Sequence, residues 1–211
     1  MEISTANFTR DAGREFMTSV LVPRPVAWIS TVAREGRRRP NLAPFSSVAP
    51  VCNKPPLLSF ACGRKLDGSR KDTARNILET REFVVNFVGS ELLHNVAVSV
   101  NGLDLADEFA RAGVSPEQSK EVNPPRVFES LCSCECRLEQ SIEVGAADCR
   151  VDLIIGRVVH ICVRNLGWNS QSETSPQPFR GLGALGVDWY LVGGEATFQP
   201  ELGTETNNDN D

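Results

Sequence analysis

The sequence predicts a mostly-β barrel with a few short peripheral helices. Three observations support that class. Extended segments dominate the chain, and most are short and separated by proline or glycine. Two long runs, RVFESLCSCECRLEQSIEV and CRVDLIIGRVVHICVRN, alternate over much of their length and describe an antiparallel hairpin. Helical spacing is confined to brief windows between strands, the pattern of a closed antiparallel sheet.

Taken in order, the first helical window runs from Arg14 to Val20. In PRPVAWISTVA, Pro23 and Pro25 bracket Arg24 and fix extended backbone ahead of a strand. REGRRR is a polar turn around Gly36. PNLAPFSSVAPV resumes an extended path whose prolines suit an edge strand or a bulge. PPLLSFAC is a third strand, apolar on both faces. The period then changes in DGSRKDTARNILETR: Asp67-Gly68 is a turn, Ser69 is the expected N-cap, and Asp72 three residues on forms a weak capping box. Ala74, Ile77, Leu78 and Arg81 keep helical spacing. EFVVNFVG returns to strand, and Glu91 to Val100 and DLADEFARAG are helices, the second closed by Gly113 at C′. After the hairpin, NSQSETSPQP is a polar loop, and DWYLVGG and EATFQ are short strands. Residues 1–200 therefore read as one domain and 201–211 as an acidic, disordered tail.

Composition narrows the function classes. The net charge of -5 lacks the basic excess of a general nucleic-acid binder. No apolar run approaches the roughly 18 residues of a membrane helix. Seven cysteines cannot all pair within one chain. MEISTANFTR lacks a basic stretch followed by an apolar one, so reduced thiols in the cytoplasm are expected. Without a secretory route, the sequon at Asn7 is silent.

GLGALG, residues 181–186, matches the G-x-G-x-x-G of dinucleotide loops. The prolines of SPQPF precede it and strand-like VDWYLVGG follows it, so no βαβ unit fits; a glycine loop letting backbone pass close to a neighbour is the better reading. CSCEC places three thiols at i, i+2 and i+4, on one side of a strand, where core packing is favoured over metal. His160 lies in an apolar strand and reads as structural. REGRRR is a solvated hairpin tip, or a dock for an acidic partner or a nucleotide 2′-phosphate.

Two segments could hold a ligand. The helix near Ser69 exposes unpaired N–H groups and a partial positive charge, which favour an anion. Ser69, Lys71 and Thr73 add hydroxyls and an ammonium there, a set suited to a phosphate monoester; a capped helix with solvated charges is the alternative. NLAPFSS offers backbone donors and acceptors suited to a flat heterocycle, or else is an irregular edge strand.

PRPVAWISTV, PNLAPFSSV, PPLLSF and GSRKDTARNI-ET-EFVVN follow one another as in the flavin reductase-like proteins of the FMN-binding split barrel, which this chain resembles from about Leu21 to Tyr190. The resemblance implies a split β-barrel, FMN, NAD(P)H as co-substrate, and a homodimer with flavin near the interface. It implies hydride transfer from nicotinamide to flavin N5 with no catalytic side chain, and allows a monooxygenase or electron-transfer partner. An electron carrier or sensor module is the alternative function. Carried across, Ser30 and Thr31 lie beside the flavin. Asn41, Ala43, Phe45, Ser46 and Ser47 line its ring and ribityl chain, and Ser59 and Cys62 sit on the adjoining strand. Ser69, Lys71 and Thr73 hold the phosphate, Arg24 is a further cation, and Trp189 or Tyr190 borders the site.

Overall fold

The computed structural model describes residues 3–34, 40–100, 107–146, 149–164, 181–185 and 190–191. Helix α1 spans Arg10–Val20, four residues longer at its start than the spacing predicts, because the Thr9 hydroxyl accepts from Ala12 N and caps it. Strands β1 (Arg24–Pro25), β2 (Ala27–Thr31), β3 (Asn41–Phe45), β4 (Ala49–Asn53) and β5 (Pro56–Gly63) follow. The single extended path expected of PNLAPFSSVAPV is thus two strands, broken at residues 46–48. Next come α2 (Asp72–Thr80), β6 (Glu82–Phe87), α3 (Leu93–Val100, entered through a 3-10 turn at Ser90–Leu92) and α4 (Glu108–Ala112). Gly113 closes α4 in the left-handed conformation, at φ 65°, as expected of a C′ glycine.

The last elements are β7 (Pro116–Glu117), β8 (Arg126–Val127), β9 (Cys132–Val144), β10 (Val151–Val163), β11 (Gly183–Ala184) and β12 (Tyr190–Leu191). The long hairpin is present as β9 and β10, although Arg126–Val127 leaves it to pair with β7. Residues 165–180, 186–189 and 192–211, with the expected polar loop, the EATFQ strand, Trp189 and the acidic tail, lie outside the described residues. So does most of REGRRR.

Seven strands form one antiparallel sheet in the order β3-β2-β6-β9-β10-β5-β4. Its two edge strands, β3 and β4, are consecutive in the chain. Laid flat, the edges would stand about 29 Å apart at the usual strand spacing. The four Cα steps from Phe45 to Ala49 reach at most about 14 Å. The sheet must therefore roll up, and chain connectivity alone makes it a barrel. At the seam the Ser47 hydroxyl accepts from Ala61 N (3.1 Å) and donates to Ala61 O (3.3 Å), supplying backbone groups of β5 with a partner where β4 has ended.

Inside the barrel, Phe60 lies between Phe45 and Phe83 with ring centroids 4.9 and 5.7 Å away, both edge-on. Ile29, Ile154, and Ala74 and Ile77 of α2 complete that core. Gly156 is required there, since a Cβ would stand 2.2 Å from the Phe83 ring. Strand β5 alternates: Leu58, Phe60 and Cys62 point inward, while Ser59 and Ala61 are half-buried on the outer face. It is therefore not equally apolar on both faces. A second core lies on the other side of β2, where Trp28 packs with Val96, Phe109 and Leu182 and donates from Nε1 to Ser99 Oγ at 2.9 Å. With a core on each side, all five residues of β2 are buried.

The glycine segment behaves as backbone packing requires. Gly181 bridges Gly89, and Gly183–Ala184 pairs antiparallel with β1. A Cβ on Gly183 would meet Pro23 Cβ at 2.9 Å. The thiols of Cys134 and Cys136 are core residues with Cys132 packed against them. All seven cysteines are free.

Candidate functional site

The site forms where β3, the seam and the start of α2 meet. Asn41 opens β3 opposite Thr31, and its side chain lies 3.2 Å from Thr73 Oγ1 on α2. The amide satisfies its surroundings when its nitrogen donates to Glu108 Oε2 at 3.2 Å and its oxygen accepts from the Thr73 hydroxyl. Glu108 also takes the Leu42 N–H at the open edge of β3. Pro44 has the same parity as Leu42, so its nitrogen faces away from β2 and no ladder bond is lost. Asn76, one turn beyond Asp72, donates to Thr31 Oγ1 at 3.0 Å, tying α2 to β2.

The start of α2 differs from the sequence expectation. Lys71, not Ser69, is its N-cap, and no side chain caps it. Ser69 belongs instead to a closed turn: Lys65 N donates to Ser69 O (2.9 Å), Gly68 N to Lys65 O (3.0 Å) and Ser69 N to Asp67 Oδ1 (2.8 Å). Hydrogen bonds from Ser69 hold the Asp67 carboxyl below its ordinary range. The extra turn displaced the cap because Asp67 spends its oxygen on Ser69 N, an Asx turn that ends before the helix begins. At the far end, Arg81 leaves the helix and caps it in the left-handed conformation, at φ 66°.

The charges around this helix start are nearly all matched. Asp72 is paired with Lys65 at 3.6 Å and Arg75 at 2.8 Å. Lys71 is exposed and has no carboxylate partner among the described residues. An exposed ammonium, a helix start without a side-chain cap and the exposed Ser69 thus lie within a few residues of one another. Such a group attracts an anion.

The other sequence-derived residues divide cleanly. Ser30 is fully buried; its hydroxyl donates to Pro125 O and accepts from Asn86 Nδ2 at 3.3 Å. Ala43, Phe45 and Ser46 are half-buried along β3 and the seam, and Ser47 is exposed there. Ser59 and Cys62 are three residues apart on a strand and face opposite ways, Ser59 outward and Cys62 into the core. Thr73 is 2% exposed, so its hydroxyl serves Asn41. Arg24 donates to Thr18 O (2.5 Å) and Leu21 O (2.8 Å) at the end of α1. Tyr190 packs against the second core. Trp189 lies outside the described residues.

Burial pushes the Cys62 thiol up from 9.0 to about 11, against opposing pulls from Lys71 and the Ala74 amide. The folded state therefore favours the protonated thiol, and this contribution to stability is complete below pH 9 and lost as pH rises toward 11. Cys62→Ala is expected to flatten the decline of the urea midpoint across that interval. A decline as steep as in the unaltered chain would contradict the assignment.

Sequence reasoning missed Glu108, Asn86 and Asp152. Asn86 and Asp152 are the detectable ones, since each is a polar residue inside an apolar strand, EFVVNFV and RVDLIIG. Asn86 accepts from Val127 N and the Ser133 hydroxyl, both at 2.9 Å, while donating to Trp28 O.

Comparison with known proteins decides the family. The flavin reductase like domain model matches residues 17–171. The chain belongs to the flavin reductase-like family. An uncharacterized protein of Aquifex aeolicus is 31% identical over 192 residues, covering 90% of this chain and 95% of that one. Nitrilotriacetate monooxygenase component B from Bacillus cereus superposes with TM-score 0.83 at 29% identity, covering 94% and 99% of the two chains. Pseudomonas fluorescens 2-nitrobenzoate 2-nitroreductase shares the fold with TM-score 0.80 at 22% identity, over 98% of this chain and 100% of that one. The architecture is the split barrel of these flavin reductase-like proteins, and the expected fold class holds. Its flavin-related oxidoreductase character follows from the family.

Proposed function

We propose that this flavin reductase-like protein binds FMN and uses NAD(P)H to reduce it. The observation that carries this reading is Lys71, an exposed cation without an acidic partner among the described residues, standing at the uncapped start of α2. A phosphate monoester fits that set: first-turn N–H groups, the Ser69 hydroxyl and the ammonium, with Thr73 holding Asn41 in place beside them. Ala43, Phe45, Ser46, Ser47 and Ser59 border the ring and ribityl chain along the seam, where small side chains leave the backbone accessible. Bound flavin supplies the hydride-accepting chemistry. The chain's own residues bind and orient, and N–H groups and positive charge favour a more anionic ring. No side chain need act as nucleophile.

A second copy of the chain would complete the surroundings. Helix α1 buries none of its residues and exposes Phe16, Met17 and Val20, with Leu21 exposed just beyond it, while Val51, Ile142 and Val144 are exposed on β4 and β9. Apart from Phe8, whose ring meets Phe16 at 6.0 Å, the described residues leave the apolar side of this amphipathic helix uncovered. The homology to component B of a monooxygenase supports delivery of reduced flavin to an oxygenase.

The purified protein is expected to bind added FMN and, under anaerobic conditions, to bleach it within seconds of adding NADH or NADPH. The same sample should sediment at twice the 23.1 kDa chain mass. Flavin that binds but stays oxidised until a protein donor is supplied would replace the reductase with an electron carrier. A 23.1 kDa species would reject the dimer.

A further inference from the structure

We propose that Asp152 is a positioning residue for the phosphate site, an inference that rests on the FMN reading above. Asp152 lies on β10 directly opposite Cys62 and is 1% exposed. Its Oδ1 accepts from Arg64 Nη2 at 3.0 Å and from Arg70 Nε at 3.2 Å. Those two arginines are the first and last residues of the turn that carries Ser69, and they bridge one another. One buried oxygen therefore clamps both ends of the turn to the barrel wall, and Lys71 follows Arg70 directly.

The surroundings show that this acid is not placed there for charge balance alone. Glu143 stands opposite Asp152 on β9, so two carboxylates face each other across the ladder, an unfavourable arrangement by itself. Three arginines compensate: Glu143 pairs with Arg64, with Arg70 at 3.5 Å and with Arg150 at 3.0 Å. Glu143, with 41% of its side chain exposed, is at the rim and already pairs with the exposed Arg70. Asp152 is the member that reaches beneath the turn. Its Oδ2 and Arg64 Nε have no hydrogen-bond partner among the described residues, so the buried acid is retained at a cost.

Charge and position make opposite predictions for Asp152→Asn. Removing a negative charge beside a phosphate should tighten FMN binding if only the field matters. If the clamp matters, the turn loosens, Ser69 and Lys71 are no longer held together, and FMN binding weakens. Fluorescence titration of Asp152→Asn is expected to show about tenfold weaker FMN binding with riboflavin unchanged within about twofold, the loss of one charge-assisted contact. Arg70→Lys covers the case in which Asp152→Asn does not fold. Arg70 is 41% exposed in its side chain, and lysine keeps the charge but gives up the planar fork, so the same selective loss is expected. FMN binding that is unchanged or tighter in these variants, or equal losses for both ligands, would overturn the role. Lys71→Ala run in parallel separates the two readings. Selective loss there with none in Asp152→Asn removes only the clamp, whereas no selectivity in Lys71→Ala removes the phosphate site and the clamp with it.

Discussion

Replacing Lys71 and Thr73 together by alanine is expected to weaken FMN binding about thirtyfold, about tenfold from one lost contact of about 1.5 kcal/mol at Lys71 and about threefold from the loosened start of β3, while riboflavin changes by no more than about threefold. Lys71 is the exposed cation at the helix start, and its removal takes away the charge without disturbing packing. Thr73 acts differently. It is buried with its hydroxyl against Asn41, so its loss frees the first residue of β3 as well as the helix end. Riboflavin lacks the phosphate and should sense only the second effect. Isothermal titration with both ligands makes the comparison, and equal losses for both would remove these residues from the phosphate site.

The second large effect concerns stability. Phe60→Ala is expected to destabilise the protein by about 3–5 kcal/mol, the range for deleting a buried ring that its surroundings cannot refill. For a chain of this length, that lowers the melting temperature by about 10–15 °C. Phe60 is fully buried and touches Phe45 on the β3 side and Phe83 on β6, so it joins walls of the barrel that are not neighbours in the sheet. The Gly156 contact shows how little room surrounds Phe83. Phe45 also borders the proposed ring site, so the variant should lose flavin affinity in parallel. Calorimetry showing a loss below about 1 kcal/mol would mean that the barrel interior can collapse around the gap.

Much of this organisation was legible in the sequence because it follows local rules. The long hairpin, the helix around Ala74 and Ile77 and the Gly113 terminus each depend on periodicity or on one special residue. The barrel seam was not, since the meeting of Ser47 with Ala61 depends on strand order rather than on either segment. The N-cap was misplaced by two residues because Asp67 competes for Ser69 through an Asx turn, a choice that capping preferences alone do not resolve. Residue type also says nothing of facing: Ser59 and Cys62 look equivalent in PPLLSFAC, yet strand parity sends them to opposite sides. Asp152 and Glu108 act on segments distant in sequence, Asp152 on the turn ends and Glu108 on the edge of β3. Their roles emerge only when the sheet is closed.

The ammonium and amides at the head of α2 are the heart of this account, and side-by-side titration of the unaltered protein with FMN and riboflavin probes them most directly. The account predicts that FMN binds at least about tenfold more tightly, the worth of one charge-assisted contact, and that the advantage shrinks as ionic strength rises. Equal affinity for the two flavins at low salt would contradict it.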